Sequence, residues 1–344
     1  MKKSLLVLNY KMDSSDGIFG HQVQSVWELA KDFERVYVVT GSIGEMRIPS
    51  NTYVVSTYWE PGARLKSSIR FYRQVLKFIF KKDLVIFSHM TEVQSALIAP
   101  LTRILRIPHW LWYAHAKKSK FLTWDHFFLN GIVTSSPGSC PIKGGRVHPI
   151  GQAIDPRMFP PTNSLKQREP VKLLHFGRFD PSKNIPGIIQ NCLEIRSKGI
   201  DLEFLQVGRS SNKKYEKLSS EIIEGYSNLA WVNFHDSVAR SELPSILSDA
   251  FAFIHNYQGS LDKTLIEATM HAVPVLTVNL EYLQIFGSWG DLKDLTLSSE
   301  FWALYNLSQV EIYSELQRRR ELAISAHSLD HWTRSLIQIL GRST

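Results

Sequence analysis

The sequence has 344 residues, of which 44% are hydrophobic and 21% charged, and its formal net charge is +8 at pH 7. These values are typical of a globular protein with about two domains. The basic excess suits a phosphate-rich ligand, an anionic membrane surface or a nucleic acid, and charge alone does not choose among them. Cys140 and Cys192 are too few and too far apart for a disulfide framework or a zinc site, which favours a reducing, cytoplasmic setting.

The N-terminal residues mimic a signal peptide, because two lysines precede an apolar run. The run covers only residues 5–8 and no small-residue cleavage site follows it, so we interpret it as a first buried strand. No uncharged apolar stretch reaches the roughly 20 residues that a membrane-spanning helix requires. Any membrane contact is therefore expected to be peripheral.

Short β-rich runs alternate with helical patterns along the chain. In the first half they lie at 5–9, 36–40, 84–87, 110–113 and 132–134, and in the second half at 172–176, 203–207, 231–234, 252–255 and 275–278. A Pro-rich, polar stretch at 152–164 is the best candidate for a linker. The alternation predicts an α/β fold of two Rossmann-like, doubly wound domains that face each other across a cleft, with ligands at the carboxyl ends of the strands.

Two glycines, Gly17 and Gly20, follow the first predicted strand and precede a helical pattern. This turn can admit a ligand close to a helix N-terminus, and a plain tight turn explains it about as well. The spacing is not the full dinucleotide fingerprint, and no acidic residue ends the second strand, so nicotinamide binding is not expected.

A basic segment without acidic residues spans residues 63–82. Its cations are Arg64, Lys66, Arg70, Arg73, Lys77, Lys81 and Lys82. A helix over this segment would carry one apolar stripe beside most of the cations. The stripe consists of Leu65, Ile69, Tyr72, Leu76 and Ile79, and Phe71, Val75 and Phe78 widen it. The helix either packs on the core with a basic solvent face or lies on anionic lipid, and we favour the membrane. Nucleic acid is not expected, because no recognised module accompanies the charge.

His115 follows an apolar run and is therefore predicted at the carboxyl end of a strand, facing the cleft. That is a usual position for a ligand-contacting histidine. His89 has nearly the same position and is a weaker candidate. Most of the 12 histidines are expected to be structural or exposed.

The most informative segment, residues 173–184, places an apolar strand, a glycine and two cations before a predicted helix. Gly177 lets the backbone approach a ligand without a Cβ clash. Arg178 offers a planar fork and Lys183 a point charge to phosphate oxygens. Taken alone, the segment fits a diphosphate site and a plain strand-to-helix turn about equally.

Residues 258–275 form a glycine turn, a helix and a returning strand in the prediction. Ser260 is expected to cap that helix, and the N–H groups of residues 260–263, with the charge of Lys263, suit a second side of the same diphosphate. Glu267 can accept hydrogen bonds from the two hydroxyls of a ribose. A solvated helix with an ordinary glutamate explains this stretch alone as well.

Together these segments resemble the retaining nucleotide-sugar glycosyltransferases of the GT-B fold, in the large family four, over almost the whole chain. The resemblance is carried by residues 177–184, 232–238, 265–268 with 274–275, and 147–159. It implies an acceptor-binding domain over residues 1–160, a donor domain over 165–325, and a final helix over 326–344 that crosses back to the first domain.

The resemblance also assigns residues. Arg178 and Lys183 would hold the donor diphosphate, and His115 would contact the transferred sugar or the acceptor. The donor side would comprise Gly177, Ser260, Leu261, Asp262, Lys263 and Glu267, the last on the donor ribose, and the acceptor side Gly17, Phe19 and Gly20. The family usually has a glutamate eight residues before Glu267, where this chain has Gly259. In the subgroup with a Gly-Ser-Leu-Asp-Lys turn, Asp262 or backbone groups would contact the sugar instead.

The implied reaction moves a sugar with retention from a UDP- or GDP-sugar to a glycan or lipid-linked acceptor, in cell-surface polysaccharide or glycolipid synthesis. The leaving diphosphate takes the acceptor proton, so no protein nucleophile is required. No cofactor is implied. Because the sequence has no Asp-X-Asp motif, we expect the reaction not to require a metal ion. The alternatives are a noncatalytic sugar-binding relative and a nucleotide-sugar isomerase or epimerase of the same fold.

Overall fold

The structure is a computed structural model that describes residues 4–16, 19–60, 62–162, 170–210 and 213–341. The chain divides into two compact units. The first unit comprises Met1–Ala153 together with Leu329–Thr344, and the second comprises Ile154–Ser328. Each unit contains one parallel β-sheet, so both have the Rossmann-like α/β architecture that the sequence predicts.

The first unit is built on a seven-stranded parallel sheet. Its strands are β1 (Ser4–Met12), β2 (Arg35–Ile43), β3 (Thr52–Ser56), β4 (Leu84–His89), β5 (His109–Trp112), β6 (Gly131–Thr134) and β7 (Val147–Pro149), in the order β3-β2-β1-β4-β5-β6-β7. The helices between them are α1 (His21–Ala30), α2 (Arg64–Val75), α3 (Glu92–Ile104) and α4 (Lys120–Phe128). The central strands are buried on both faces, which explains their continuous apolar sequences.

The second unit is built on a five-stranded parallel sheet. Its strands are β8 (Val171–Phe176), β9 (Leu202–Val207), β10 (Val232–His235), β11 (Ala252–His255) and β12 (Val275–Thr277), in the order β10-β9-β8-β11-β12. Its helices are α5 (Ile185–Ser197), α6 (Lys213–Tyr226), α7 (Leu243–Ser248), α8 (Lys263–Met270), α9 (Leu280–Phe286), α10 (Leu297–Tyr305) and α11 (Gln309–His327). The order reverses between β8 and β11, and the carboxyl ends of such neighbouring strands open a crevice for ligands.

All ten predicted strands are present, with ends shifted by a few residues, whereas β3 and β7 were not predicted. Both lie at the edges of the first sheet, where short strands suffice. Strand β7 has three residues, is largely half-buried, and ends in Pro149, so its sequence lacks a continuous apolar run.

The basic segment forms a shorter helix than predicted, because α2 ends at Val75. After it the backbone tightens into turns, in which the N–H of Phe78 donates to the carbonyl of Val75. This brings Ile79 into the core with Phe71 and Val75. The predicted apolar stripe is therefore split: Ile79 is buried, Tyr72 is half-buried, and the remaining members are exposed. The exposed members are Leu65, Ile69 and Leu76.

The final helix, α12 (Leu329–Gly341), belongs to the first unit, although α11 just before it belongs to the second. Trp332 is completely buried, and its ring lies 5.7 Å from that of His89 and 5.7 Å from that of Trp112. Helix α12 thus completes the core of the first unit. No helix in the described ranges is both long and apolar enough to cross a membrane.

We expect Trp332→Ala to lower the free energy of unfolding of the first unit by about 3–5 kcal/mol, because the cavity left by the ring cannot close fully. The measurement is denaturant unfolding followed by circular dichroism. Phe127→Ala is the matched control: Phe127 is exposed in the same unit, so its loss is expected to change stability by less than about 1 kcal/mol. Equal effects of the two substitutions would contradict the role of α12 in this core.

Candidate functional site

The candidate site of the second unit lies at the carboxyl edge of its sheet, where β8 and β11 end side by side. Residues 177–183 continue from β8, and residues 256–262 continue from β11. This is the switch point of the strand order, so two loops with no proximity in sequence become neighbours. The predicted donor-side residues lie in these loops and in helix α8.

Two glycines allow the loops after β8 and β9 to approach each other closely. The N–H of Gly177 donates to the carbonyl of Val207 over 3.0 Å, and the N–H of Gly208 donates to the carbonyl of His235 over 3.0 Å. A Cβ atom on Gly208 would overlap with the carbonyl oxygen of Gly177, and Gly208 has a φ of +134°. Glycine is thus required at position 208 by both space and conformation. Sequence reasoning missed it, although it directly follows a predicted strand.

Lys183 is placed by a 3₁₀ turn, Pro181–Lys183, that follows β8. The next residue, Asn184, has a φ of +48°, and its side chain caps α5 by accepting a hydrogen bond from the N–H of Gly187. The Lys183 side chain is only 6% exposed. The local sequence therefore turns a long cationic side chain into the sheet edge rather than into solvent.

The ammonium group of Lys183 lies among three side chains that follow β11 or end it. It forms an ion pair with Oδ2 of Asp262, and it lies 4.4 Å from the centre of the Tyr257 ring, a cation–π distance. The same Oδ2 atom lies 3.2 Å from Nε2 of His255, whose Nδ1 is 3.3 Å from Oγ1 of Thr277. Sequence reasoning missed His255 and Tyr257, because the signal was only their position at a strand end.

The protonation states at this edge follow from burial and neighbouring charge. Burial alone would raise the pKa of Asp262, but Lys183 and His255 outweigh it and hold that pKa well below its usual range. Burial lowers the pKa of His255, an effect that Asp262 opposes. Burial also lowers the pKa of His175 to about 3, with His255 adding to the shift. The edge therefore holds an ionised aspartate beside neutral histidines.

Arg178 differs from Lys183 in its exposure. Its side chain is 51% exposed, and its guanidinium lies 3.4 Å from Oδ2 of the buried Asp180. Asp180 thus positions the guanidinium of Arg178, which is otherwise exposed to solvent at the same edge of the sheet. The two predicted diphosphate ligands are brought to one loop, one buried and one exposed.

Helix α8 begins at Lys263, so Asp262 rather than Ser260 occupies the N-cap position, and the capping predicted for Ser260 is wrong. Ser260 and Leu261 are buried, and Leu261 packs into the core. Burial and, to a lesser extent, Arg240 lower the pKa of Lys263 to about 7, against the opposing effect of Glu267. The start of α8 thus combines N–H groups that have no partner within the helix with a lysine whose pKa lies near neutral.

Glu267 lies one turn into α8, is almost fully buried, and forms an ion pair with Arg240. Arg240 follows β10, and its guanidinium lies 5.8 Å from the centre of the Phe159 ring. The sequence shows Arg240 only as a lone cation between Asp236 and Glu242, and our sequence reasoning missed it.

The loop between β11 and α8 is held by one amide. Nδ2 of the buried Asn279 lies 2.9 Å from the carbonyl oxygen of Tyr257, 3.2 Å from that of Gly259 and 3.3 Å from that of Ser260. Its Oδ1 accepts a hydrogen bond from the N–H of Tyr282 and so caps α9. Asn279 therefore fixes the backbone of the loop without using any of its side chains.

Gly259 stands where the resemblance expects a glutamate, and the structure shows what fills the space. A Cβ atom on Gly259 would overlap with the hydroxyl and ring of Tyr257. A side chain at position 259 and the observed position of Tyr257 are thus mutually exclusive.

Two of the predicted acceptor-side residues, Phe19 and Gly20, lie at the carboxyl edge of the first sheet. Gly20 precedes α1, where a Cβ atom would come 2.6 Å from the carbonyl oxygen of Asp16, and Phe19 is half-buried beside it. His115 is exposed after β5, with its ring 5.3 Å from that of Tyr113. His89 is instead buried against Trp332.

Gly17 lies outside the described residues. Across the described part of the chain, no group of three or more His, Cys, Asp or Glu side chains is arranged to hold a metal ion. At the carboxyl edge of the second sheet, the loop after β8 carries two cationic side chains, Arg178 and Lys183.

Comparisons with known structures identify the fold. HepE of Anabaena, in a crystal structure with UDP and glucose, is 14% identical with a TM-score of 0.75, over 99% of this chain and 100% of that one. Sucrose-phosphate synthase of Thermosynechococcus elongatus is 13% identical with a TM-score of 0.77, over 99% of both chains. WaaG, a glycosyltransferase involved in lipopolysaccharide biosynthesis, is 13% identical with a TM-score of 0.64, over 98% of this chain and 99% of that one. A search of curated protein sequences found no match.

At these identities the likeness establishes the fold, and the fold is GT-B: two Rossmann-like units in one chain. The sequence takes the identification further. Residues 161–284, which include the switch point of the second sheet, match the family described as "Glycosyl transferases group 1". The second unit thus carries a glycosyl transferases group 1 domain, and together with the GT-B fold this makes the protein a glycosyltransferase.

We expect Gly208→Ala to lower the free energy of unfolding by about 2 kcal/mol or more, because the new methyl group meets backbone rather than a movable side chain. Urea unfolding of the full chain measures the effect. Gly225→Ala is the control: position 225 lies in α6 with open space around it, so alanine should be neutral or stabilise by about 0.5 kcal/mol. A Gly208→Ala protein as stable as the wild type would show that the two loops can separate.

Proposed function

We propose that this glycosyltransferase moves a sugar from a UDP- or GDP-sugar to a glycan or lipid-linked acceptor, in cell-surface polysaccharide or glycolipid synthesis. One observation carries the donor assignment: the nearly buried Lys183 ammonium and the exposed Arg178 guanidinium lie at the switch point of a Rossmann-like sheet. Support comes from HepE, which has been crystallised with UDP-glucose, and from WaaG, which is involved in lipopolysaccharide biosynthesis.

The donor is proposed to bind with its diphosphate between the loop after β8 and the start of α8. Lys183 and Arg178 supply two positive charges, and the first N–H groups of α8 supply hydrogen-bond donors from the other side. Glu267 lies one turn further along α8, so a ribose attached to this diphosphate can reach its carboxylate. Ser260 and the backbone of Gly177 complete the diphosphate contacts in this proposal, and Asp262 is assigned to the donor sugar.

The reaction is proposed to proceed with retention and without a bound metal. The bond between the anomeric carbon and the diphosphate oxygen breaks, the acceptor oxygen attacks from the same face, and the leaving diphosphate takes the acceptor proton. Cations placed where negative charge accumulates stabilise that leaving group, which is the role we assign to Arg178 and Lys183. His115, Phe19 and Gly20 are assigned to the acceptor side.

The acceptor is proposed to be reached from an anionic membrane surface, through residues 63–82 of the first unit. Leu65 is 78% exposed, Ile69 61% and Phe80 71%, a concentration of exposed apolar side chains that core packing does not explain. Exposed cations lie among them, namely Arg64, Lys66, Arg73, Lys77, Lys81 and Lys82. Arg70 is bound to Glu60 instead. Apolar side chains surrounded by cations suit an anionic lipid surface, where each cation contributes about 1 kcal/mol.

The donor assignment predicts that Lys183→Ala and Arg178→Ala each lower the rate of sugar transfer by about 100-fold or more, because a developing negative charge loses its partner. Release of UDP or GDP from a panel of nucleotide sugars, with chromatography of the sugar product, measures this. Lys198→Ala is the control: Lys198 pairs with Glu194 at the end of α5, away from the site, and should leave the rate unchanged.

The same experiment separates the alternatives. A changed nucleotide sugar without an acceptor product would indicate an isomerase or epimerase. Binding of a nucleotide sugar without turnover would indicate a noncatalytic relative. Unchanged transfer by Lys183→Ala would contradict the donor site.

The membrane assignment predicts that the protein floats with vesicles of phosphatidylglycerol and phosphatidylcholine, and not with phosphatidylcholine alone. The triple variant Leu65→Ser, Ile69→Ser, Phe80→Ser should lose most of this binding. Ile104→Ser, at an equally exposed position of the same unit, should retain it. If the protein binds a polynucleotide in a salt-sensitive manner and does not bind anionic vesicles, the membrane assignment is wrong and nucleic acid is the partner of this segment.

A further inference from the structure

Lys183, which is proposed to bind the donor diphosphate, already forms an ion pair with Asp262 in this structure. Lys183 is 6% exposed and Asp262 18% exposed, so the pair is largely shielded from water. An ammonium group in such a position requires a neighbouring anion, because an unpaired buried charge is strongly destabilising. In this structure Asp262 supplies that anion.

A diphosphate at Lys183 and the Asp262 carboxylate cannot both remain there without strong repulsion, because both are negative and the local dielectric is low. Asp262 has an alternative partner already in place, since its Oδ2 lies 3.2 Å from Nε2 of His255. Its side chain makes no capping hydrogen bond to α8, so the helix does not hold it at Lys183.

The loop backbone does not need to move for such an exchange. The side-chain amide of Asn279 contacts the carbonyl groups of Tyr257, Gly259 and Ser260, and these contacts fix the loop backbone as far as Ser260. Rotation of the Asp262 side chain alone can therefore open the face of Lys183 that the carboxylate covers.

We propose that Asp262 is an internal competitor of the donor diphosphate. It neutralises Lys183 in the empty site, transfers to His255 when the diphosphate binds, and displaces the nucleoside diphosphate product by returning to Lys183. This inference rests on the proposed donor site, and it gives Asp262 an effect on diphosphate binding that is opposite in sign to that of an ordinary ligand residue. The depressed pKa of Asp262 agrees with it, since the carboxylate stays ionised across the neutral range.

The test is isothermal titration of UDP and of GDP into the full-length wild type and its variants. Asp262→Asn should bind the nucleoside diphosphate about tenfold more tightly or better, because a competing charge is removed and Lys183 is left without an anion. The dissociation rate, measured by stopped-flow displacement, should fall by a similar factor. Lys183→Ala should bind weakly.

Two further variants guard the interpretation. Asp262→Ser keeps a residue type that is favoured at a helix N-cap, and it should also bind more tightly if the asparagine variant fails to fold. Asp201→Asn is the matched control, because Asp201 forms an ion pair with Arg196 at the opposite edge of the same sheet. The affinity of this variant for the nucleoside diphosphate should equal that of the wild type.

The outcomes distinguish this inference from the donor assignment. Wild-type binding that Lys183→Ala weakens and that Asp262→Asn leaves unchanged or weakens would overturn the competitor role and leave the donor site intact. No binding of UDP or GDP by the wild type, or equal binding by Lys183→Ala, would overturn both.

Discussion

The carboxyl edge of the second sheet is organised by one requirement: a cation that is almost removed from water must have an anion beside it. The Lys183 side chain points inward after β8, and Asp262, from the loop after β11, forms an ion pair with it. His255 and Tyr257 enclose the pair. Because these groups come from separate strands, the site exists only when β8 and β11 lie side by side, so the fold of the sheet and the chemistry of its edge are inseparable.

Two glycines and one side-chain amide hold the backbone of this edge in place, while other side chains carry its chemistry. Gly177 and Gly208 bring two loop backbones together, and the Asn279 amide binds three carbonyl groups of a third loop. Neither device depends on the side chains at 257–261. A Cβ atom at position 259 would meet the side chain of Tyr257 rather than backbone, so a substitution there acts first on a side chain.

The parts of the structure that local sequence determines were predictable. Strands buried on both faces appear as continuous apolar runs, and Arg178 and Lys183 lie in the loop that follows such a run. Edge strands β3 and β7 lack that signal, and α2 ends early because turns carry Ile79 into the core. The ion-pair partners could not be predicted from local sequence, because Asp262 is 79 residues from Lys183 and Arg240 is 27 residues from Glu267. Only strand pairing and loop packing make such residues neighbours, and no local pattern records this.

The position of α12 determines the order in which the two units can complete their cores during synthesis. The second unit ends at Ser328, whereas the first needs Trp332 and Leu336 from the segment that follows it. A ribosome therefore delivers every residue of the second unit before the last buried residues of the first. Domains generally fold from the N-terminus onward as they are made. In this protein the first unit therefore remains an incomplete α/β layer, with an open apolar site where α12 packs, until residues 329–341 have been synthesised.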